Sequence, residues 1–221
     1  PQVAIVTDPF TAAYETQGLM ALGRLARALG YKVAFLKPYV NGKLMVVRGA
    51  REKFARFASR QAGRLEALSS AGITLVGYDP ALTICYRDEY REILGENRGD
   101  FEVLLPEEWL IKALAADKAR ALLSAASEKL KKTEEQDAFK GQWYLFSHCT
   151  EAAMFPKSVQ DWQLVMKTFG LDLIPVPVAC CGMAGLHGHM TQNIKESYRV
   201  YEQNWKPRLE QRPFDRCLAT G

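Results

Sequence analysis

Residues 142–182 read QWYLFSHCTEAAMFPKSVQDWQLVMKTFGLDLIPVPVACCG, and residues 2–42 read QVAIVTDPFTAAYETQGLMALGRLARALGYKVAFLKPYVNG, a constant 140 positions earlier. That shift lays Gln2 on Gln142, Ala12-Ala13 on Ala152-Ala153, Leu25 on Val165, Gly30 on Gly170 and Gly42 on Gly182 without a gap. Self-similarity at one offset argues for two copies of a single supersecondary unit. In each copy a short apolar run reads as a strand, a helical segment follows, and a glycine stops it before the next strand. Strands alternating with helices imply mostly parallel pairing. The expected fold is therefore α/β, built from two pseudo-symmetric β-α-β-α-β repeats joined by a helical linker.

Working outward, leucines 19, 22, 25 and 29 share one face of a helix expected over residues 14–29. Strands are expected at 2–7, 31–36 and 73–76, and helices at 50–70 and 80–94. Phe54, Phe57, Leu65 and Leu68 should face inward from the first of these two helices. Residues 106–132 read as helix ending in the charged run Lys129-Leu130-Lys131-Lys132-Thr133-Glu134-Glu135, a solvated linker rather than a binding surface. In the second copy a strand is expected at 142–147, a helix at 156–169 and a strand at 171–176. Ile194, Tyr198, Tyr201 and Trp205 recur at helical spacing and read as core. The domain boundaries this suggests are 1–100, 101–140 and 141–221.

The copies differ in chemistry. Pro9 stands where the second copy has Cys149, and Val40-Asn41 where it has Cys180-Cys181. The first copy therefore reads as a degenerate repeat that supplies packing or a wall of the site. Four of the five cysteines fall in one pattern, Cys149-x30-Cys180-Cys181-x35-Cys217; the fifth is Cys85. Thiolates are soft ligands for iron–sulfur clusters, zinc or copper(I). Adjacent cysteines diverge, which suits a polynuclear cluster better than one tetrahedral ion. The bland alternative is that free cysteines are small buried hydrophobes, and for Cys85, within the apolar Thr83-Ile84-Cys85-Tyr86, that is the commoner outcome.

The Cys180-Cys181-Gly182-Met183-Ala184-Gly185 stretch, with His187-Gly188-His189 after it and the Cys217-Leu218-Ala219-Thr220-Gly221 end, resembles the cysteine-rich CCG domain. That domain occurs in heterodisulfide reductase subunits and in the iron–sulfur parts of glycolate and lactate oxidases. More narrowly, the surroundings look like part of a large FAD-linked dehydrogenase acting on D-2-hydroxy acids such as D-lactate or D-2-hydroxyglutarate. The resemblance implies a [4Fe-4S]-type cluster held by Cys149, Cys180, Cys181 and Cys217, with Cys85 a further candidate. It also implies a further cysteine shortly after the Thr-Gly. FAD is expected in the parent chain outside this stretch, with flavin and ferredoxin-like domains as partners and a quinone or similar electron acceptor. Gly182 and Gly185 would bring backbone N–H groups to the cluster. His148 and His187 are candidate cofactor-binding residues, His189 less so. Asp8 and His148 occupy matching repeat positions and could meet across a pseudo-twofold cleft. Zinc binding or a metal-free scaffold, and a heterodisulfide-reductase-like thiol site, stay open as alternatives.

At 221 residues, 48% hydrophobic and 24% charged, the chain can bury a substantial core. The net charge of +4 permits an anionic partner without demanding one. Arg51, Lys53, Arg56, Arg60 and Arg64 line one side of a helix, but without interleaved aromatics they read as a solvated face, not a nucleic-acid site. No apolar run approaches the roughly 20 residues of a membrane span, and reduced cysteines fit a cytoplasmic setting, a peripheral place at the inner membrane face included. GxGxxG, P-loop and ferredoxin-type cysteine runs are absent, so no flavin or nicotinamide site is visible. A chain that opens on Pro1 and stops four residues after Cys217 reads as a piece of something longer.

Overall fold

The computed structural model describes residues 1–116, 121–122, 141–185 and 187–220. Contacts divide the chain into two compact units, Pro1–Ser127 and Glu128–Gly221.

The first unit is a parallel four-stranded sheet in the order β2-β1-β3-β4, with β1 Val3–Ile5, β2 Val33–Phe35, β3 Thr74–Val76 and β4 Val103–Leu104. All three residues of β1 are buried, as a central parallel strand covered on both faces requires. The helices are α1 Pro9–Tyr14, α2 Thr16–Ala28, α3 Lys43–Val47, α4 Arg51–Ser70, α5 Pro80–Arg87, α6 Glu89–Leu94 and α7 Pro106–Ala115. On α4, Phe54, Ala58, Gln61, Ala62 and Leu65 are buried at helical spacing, while Phe57 and Leu68 are half-buried. Phe54, Ala58 and Leu65 pack with Ala4, Leu75, Tyr86, Tyr90 and Val103 in the core. The five basic residues of α4 are exposed.

Two expected helices are each broken. The one over 14–29 begins earlier, because Asp8 accepts hydrogen bonds from Phe10 N and Thr11 N and Pro9 occupies the first helical position. It is interrupted where Glu15 leaves helical geometry. The helix over 80–94 is interrupted at Asp88. Of the expected linker, Val103–Leu104 is a strand and Pro106–Ala115 a helix; the run Lys129–Glu135 lies outside the described residues.

The second unit is a parallel three-stranded sheet in the order β6-β5-β7, with β5 Gln142–Phe146, β6 Asp172–Pro175 and β7 Cys217–Ala219. Its helices are α8 Cys149–Met154, α9 Lys157–Thr168, α10 Ile194–Asn204 and α11 Lys206–Leu209. The three strands are ordered as the first three of the other unit, with the first strand in the middle. The repeat is close: α8 lies 140 residues after α1, end for end. Gly30 and Gly170 share a positive φ (86° and 80°), as do Gly42 and Gly182 (94° and 96°).

The stripe on α10 is a correction. Ile194 and Tyr198 are 46% and 63% exposed, Tyr201 and Trp205 are half-buried, and the buried residue of this helix is Ser197. The reason is a close approach. A Cβ added at Gly182 would stand 2.3 Å from the Ser197 carbonyl oxygen. Only a small side chain can face inward where the helix backbone meets a glycine turn, so Ile194 and Tyr198 lie outward, while Trp205 just past the helix packs against the buried Phe146.

This contact makes a measurable difference between two glycines. Ala at Gly182 or Gly185 meets the positive-φ cost of about 1–2 kcal/mol, at φ 96° and 65° respectively. Only at Gly182 does the new methyl also meet backbone; at Gly185 the space is open. Urea unfolding should show Gly182→Ala as the more destabilised variant. Equal losses would mean that α10 does not press on this turn.

Candidate functional site

Parallel strands send the loops that follow them to one edge of the sheet, where open α/β sheets carry their sites. In the second unit those loops begin at Ser147, Val176 and Thr220. The first contains His148, the N-cap of α8, and Cys149, its first residue. The His148 Nδ1 accepts a hydrogen bond from Thr150 N at 3.2 Å. A neutral ring in this arrangement carries its proton on Nε2. Asp8, the matching residue of the first copy, caps α1 in the same way and also accepts from the Thr11 hydroxyl. Asp8 and His148 thus each have partners within their own unit.

The second loop holds Cys180 and Cys181. Three side chains from α10, its end and α11 fasten its carbonyls: Asn204 Nδ2 to Cys180 O (3.3 Å), Trp205 Nε1 to Ala179 O (3.0 Å) and Arg208 Nε to Pro177 O (2.9 Å). The Gly182 N–H donates to Cys180 Sγ at 3.3 Å. Burial raises the Cys149 pKa above the usual thiol value; the Cys180 and Cys181 thiols raise it further, and hydrogen bonding with Thr150 opposes them. Cys149 and the Cys180-Cys181 pair follow the adjacent parallel strands β5 and β6, and so lie at one edge of the sheet. Among the described residues, no three or more His, Cys, Asp or Glu side chains stand close enough to hold one metal ion.

Cys217 is placed differently from the expected ligand set. It opens β7 and pairs with Tyr144, two residues before β5 ends, whereas Cys149 follows that end. Its thiol donates to Pro213 O at 3.4 Å, and burial raises its pKa, with Arg212 opposing. The part of β7 that reaches the loop edge is Ala219-Thr220. Cys85 belongs to the core of the first unit: it is fully buried on α5, and burial pushes its thiol up to about 12. Its surroundings are those of a packed hydrophobe rather than of a ligand.

His187 lies on the exposed turn before α10, its Nδ1 3.1 Å from Asn193 Nδ2 and its Nε2 3.6 Å from Glu196. Gly185 has a positive φ and open space around it, and Ala184 before it takes a positive φ of 42°, an uncommon conformation outside glycine. His189 is exposed on the same turn.

Sequence reasoning missed Glu151. On α8 it is fully buried, and its carboxylate accepts from the Ser158 hydroxyl, from Trp162 Nε1 (3.0 Å) and from the Thr220 hydroxyl. Thr220 Oγ1 in turn accepts from His148 N at 2.8 Å. The available signal was the repeat itself, which opposes this glutamate to Thr11, a hydroxyl.

The thiols differ in expected reactivity. Iodoacetamide attacks thiolate, and a thiol with a pKa near 12 is protonated throughout pH 7–9. In the metal-free native chain Cys85 should stay unlabelled while the half-exposed Cys149, Cys180, Cys181 and Cys217 are alkylated, as peptide mass spectrometry would show. Rapid labelling of Cys85 would contradict its place in the core.

No family model matches the chain, and no solved structure matches it. It aligns over 220 residues with the D-2-hydroxyglutarate dehydrogenase of Pantoea ananatis at 42% identity, covering 100% of this chain. Over 217 residues it is 42% identical to that of Haemophilus influenzae, and over 219 residues 39% identical to that of Escherichia coli, covering 98% and 99% of this chain. In each case the alignment takes in 20% of the relative. The chain is thus similar, along essentially its whole length, to one fifth of proteins named D-2-hydroxyglutarate dehydrogenase.

Proposed function

We propose that this chain is the part of a D-2-hydroxy-acid dehydrogenase that holds an iron–sulfur cluster and serves electron transfer. The observation that carries the reading is that Cys149 and the Cys180-Cys181 pair both follow parallel strands of the second unit and so lie at one edge of its sheet. The similarity of essentially the whole chain to one fifth of the D-2-hydroxyglutarate dehydrogenases supports the reaction class.

The donor set fits such a group. Thiolates are soft ligands that suit iron–sulfur clusters and zinc alike, and adjacent cysteines, whose side chains diverge, do not readily close on one tetrahedral ion. A polynuclear cluster takes each thiolate on a different iron, so its sulfurs stand further apart.

In this reading Cys149, Cys180 and Cys181 are the ligands, and the group they hold supplies a one-electron carrier between a flavin and a later acceptor. The Gly182 N–H disperses charge on the Cys180 sulfur, an interaction that raises the reduction potential. His148, with Nδ1 accepting from Thr150 N, has Nε2 as the ring nitrogen left to serve as donor. The strapped carbonyls of Ala179 and Cys180 hold the backbone that carries the thiol pair. The flavin that takes the hydride from a D-2-hydroxy acid, ferredoxin-like domains and a quinone or similar acceptor would be provided by the rest of the parent protein. Among the described residues no helix is long and apolar enough to cross a membrane.

Anaerobic purification with iron and sulfide analysis and EPR after reduction tests the reading. The chain should carry both elements and give a reduced-cluster signal. Cys149→Ser, Cys180→Ser and Cys181→Ser should each abolish it, and Cys217→Ser should reduce it least, since its thiol is engaged at the start of β7. A chain that binds stoichiometric zinc or no metal, and takes up no iron on reconstitution, would overturn it.

A further inference from the structure

Taking a carboxylate out of water costs far more than burying a hydroxyl, and such groups persist where several donors compensate them. Glu151 is the fully buried carboxylate of α8, and both its oxygens are used: one accepts from Ser158 and Trp162, the other from Thr220. The turn itself does not require it. In the first copy the same helix position is Thr11, also buried, whose hydroxyl donates to the Asp8 cap beside it. The strand–cap–helix unit thus forms with a neutral residue there. The carboxylate belongs to the copy that carries the thiols.

Its three donors come from two separate parts of the unit. Ser158 and Trp162 lie on α9, while Thr220 follows β7, and |i−j| from Glu151 to Thr220 is 69. The Thr220 hydroxyl spends its proton on Glu151 and accepts the His148 N–H with a lone pair. Because His148 precedes Cys149, this relay ties the end of β7 to the turn that presents the first thiol. We propose that Glu151 is a positioning residue of the thiol site: through Thr220 it sets where the His148-Cys149 turn stands relative to the loop edge, and thereby the affinity of the site for its metal group. This inference rests on the cluster reading and adds to it a residue that touches no ligand.

The test uses the 221-residue chain reconstituted anaerobically with ferrous iron and sulfide. Iron retention is measured against a chelator of known affinity, EPR line shape is recorded after reduction, and thermal unfolding is followed in the metal-free form. Partners of a ligand's support typically cost 10–100-fold in metal affinity when removed. Glu151→Gln and Thr220→Val should therefore each weaken iron retention on the order of 10–100-fold while the metal-free chain still unfolds cooperatively. Thr220→Ser, which keeps the hydroxyl, should restore it. A purely structural role would lower the melting temperature and leave retention and line shape unchanged well below it, and that result overturns the proposal. Failure of both Glu151→Gln and Thr220→Val to fold would overturn it too, by making the carboxylate a requirement of the fold. Should the unsubstituted chain take up no iron at all, the cluster reading is lost and this inference with it, an outcome separate from a wild-type site that loads normally alongside unaffected variants.

Discussion

When a central strand pairs in parallel with both neighbours, all three chains leave the sheet at the same edge. β5 stands between β6 and β7 in this way, so that the segments after Phe146, Pro175 and Ala219 share one side. Everything chemical in the second unit follows from that geometry. Cys149 begins the helix after β5, Cys180-Cys181 sits in the loop after β6, and Thr220 follows β7. Cys217, at the start of β7, pairs with Tyr144, two residues before β5 reaches that edge.

The repeat provides an internal comparison that a single domain cannot. The same framework, with glycines at matching positive φ and a capped helix after the first strand, carries two sets of side chains. In the first unit the places of Cys180 and Cys181 hold Val40 and Asn41. Asn41 is buried, its side chain bonding Leu82 O and Lys43 N and its carbonyl accepting from Tyr90. Side-chain hydrogen bonds close that loop internally. In the second unit the loop is instead strapped from behind by Asn204, Trp205 and Arg208 through its backbone carbonyls, which leaves the thiols unengaged by those straps. Divergence has thus changed which atoms secure the loop while its glycine turn stayed the same.

Much of the architecture was legible in the residues. The 140-residue offset, the short apolar runs and the glycine stops specify an α/β fold with parallel strands, and the observed sheets agree. The apolar spacing on α4 identified Phe54 and Leu65 as buried. Periodicity failed in part on α10, where Ile194 and Tyr198 are exposed and the helix meets a glycine turn at Ser197. It did not mark β4 or β7, strands of two and three residues whose pairing is set by distant parts of the chain.

The candidate site divides along the same line. Sequence alone determined which residue types could do the chemistry, because thiol softness and the adjacency of Cys180 and Cys181 are covalent facts independent of folding. It determined as well that the two copies are unequal. Tertiary structure alone decided that the loops carrying Cys149 and Cys180-Cys181 share one edge of the sheet, that Cys85 is core and that Cys217 opens β7. It alone brought Glu151 and Thr220 together. The physical reason is that burial and strand register arise from contacts between segments far apart in the chain, and spacing along a sequence carries no record of which edge of a sheet a residue will reach.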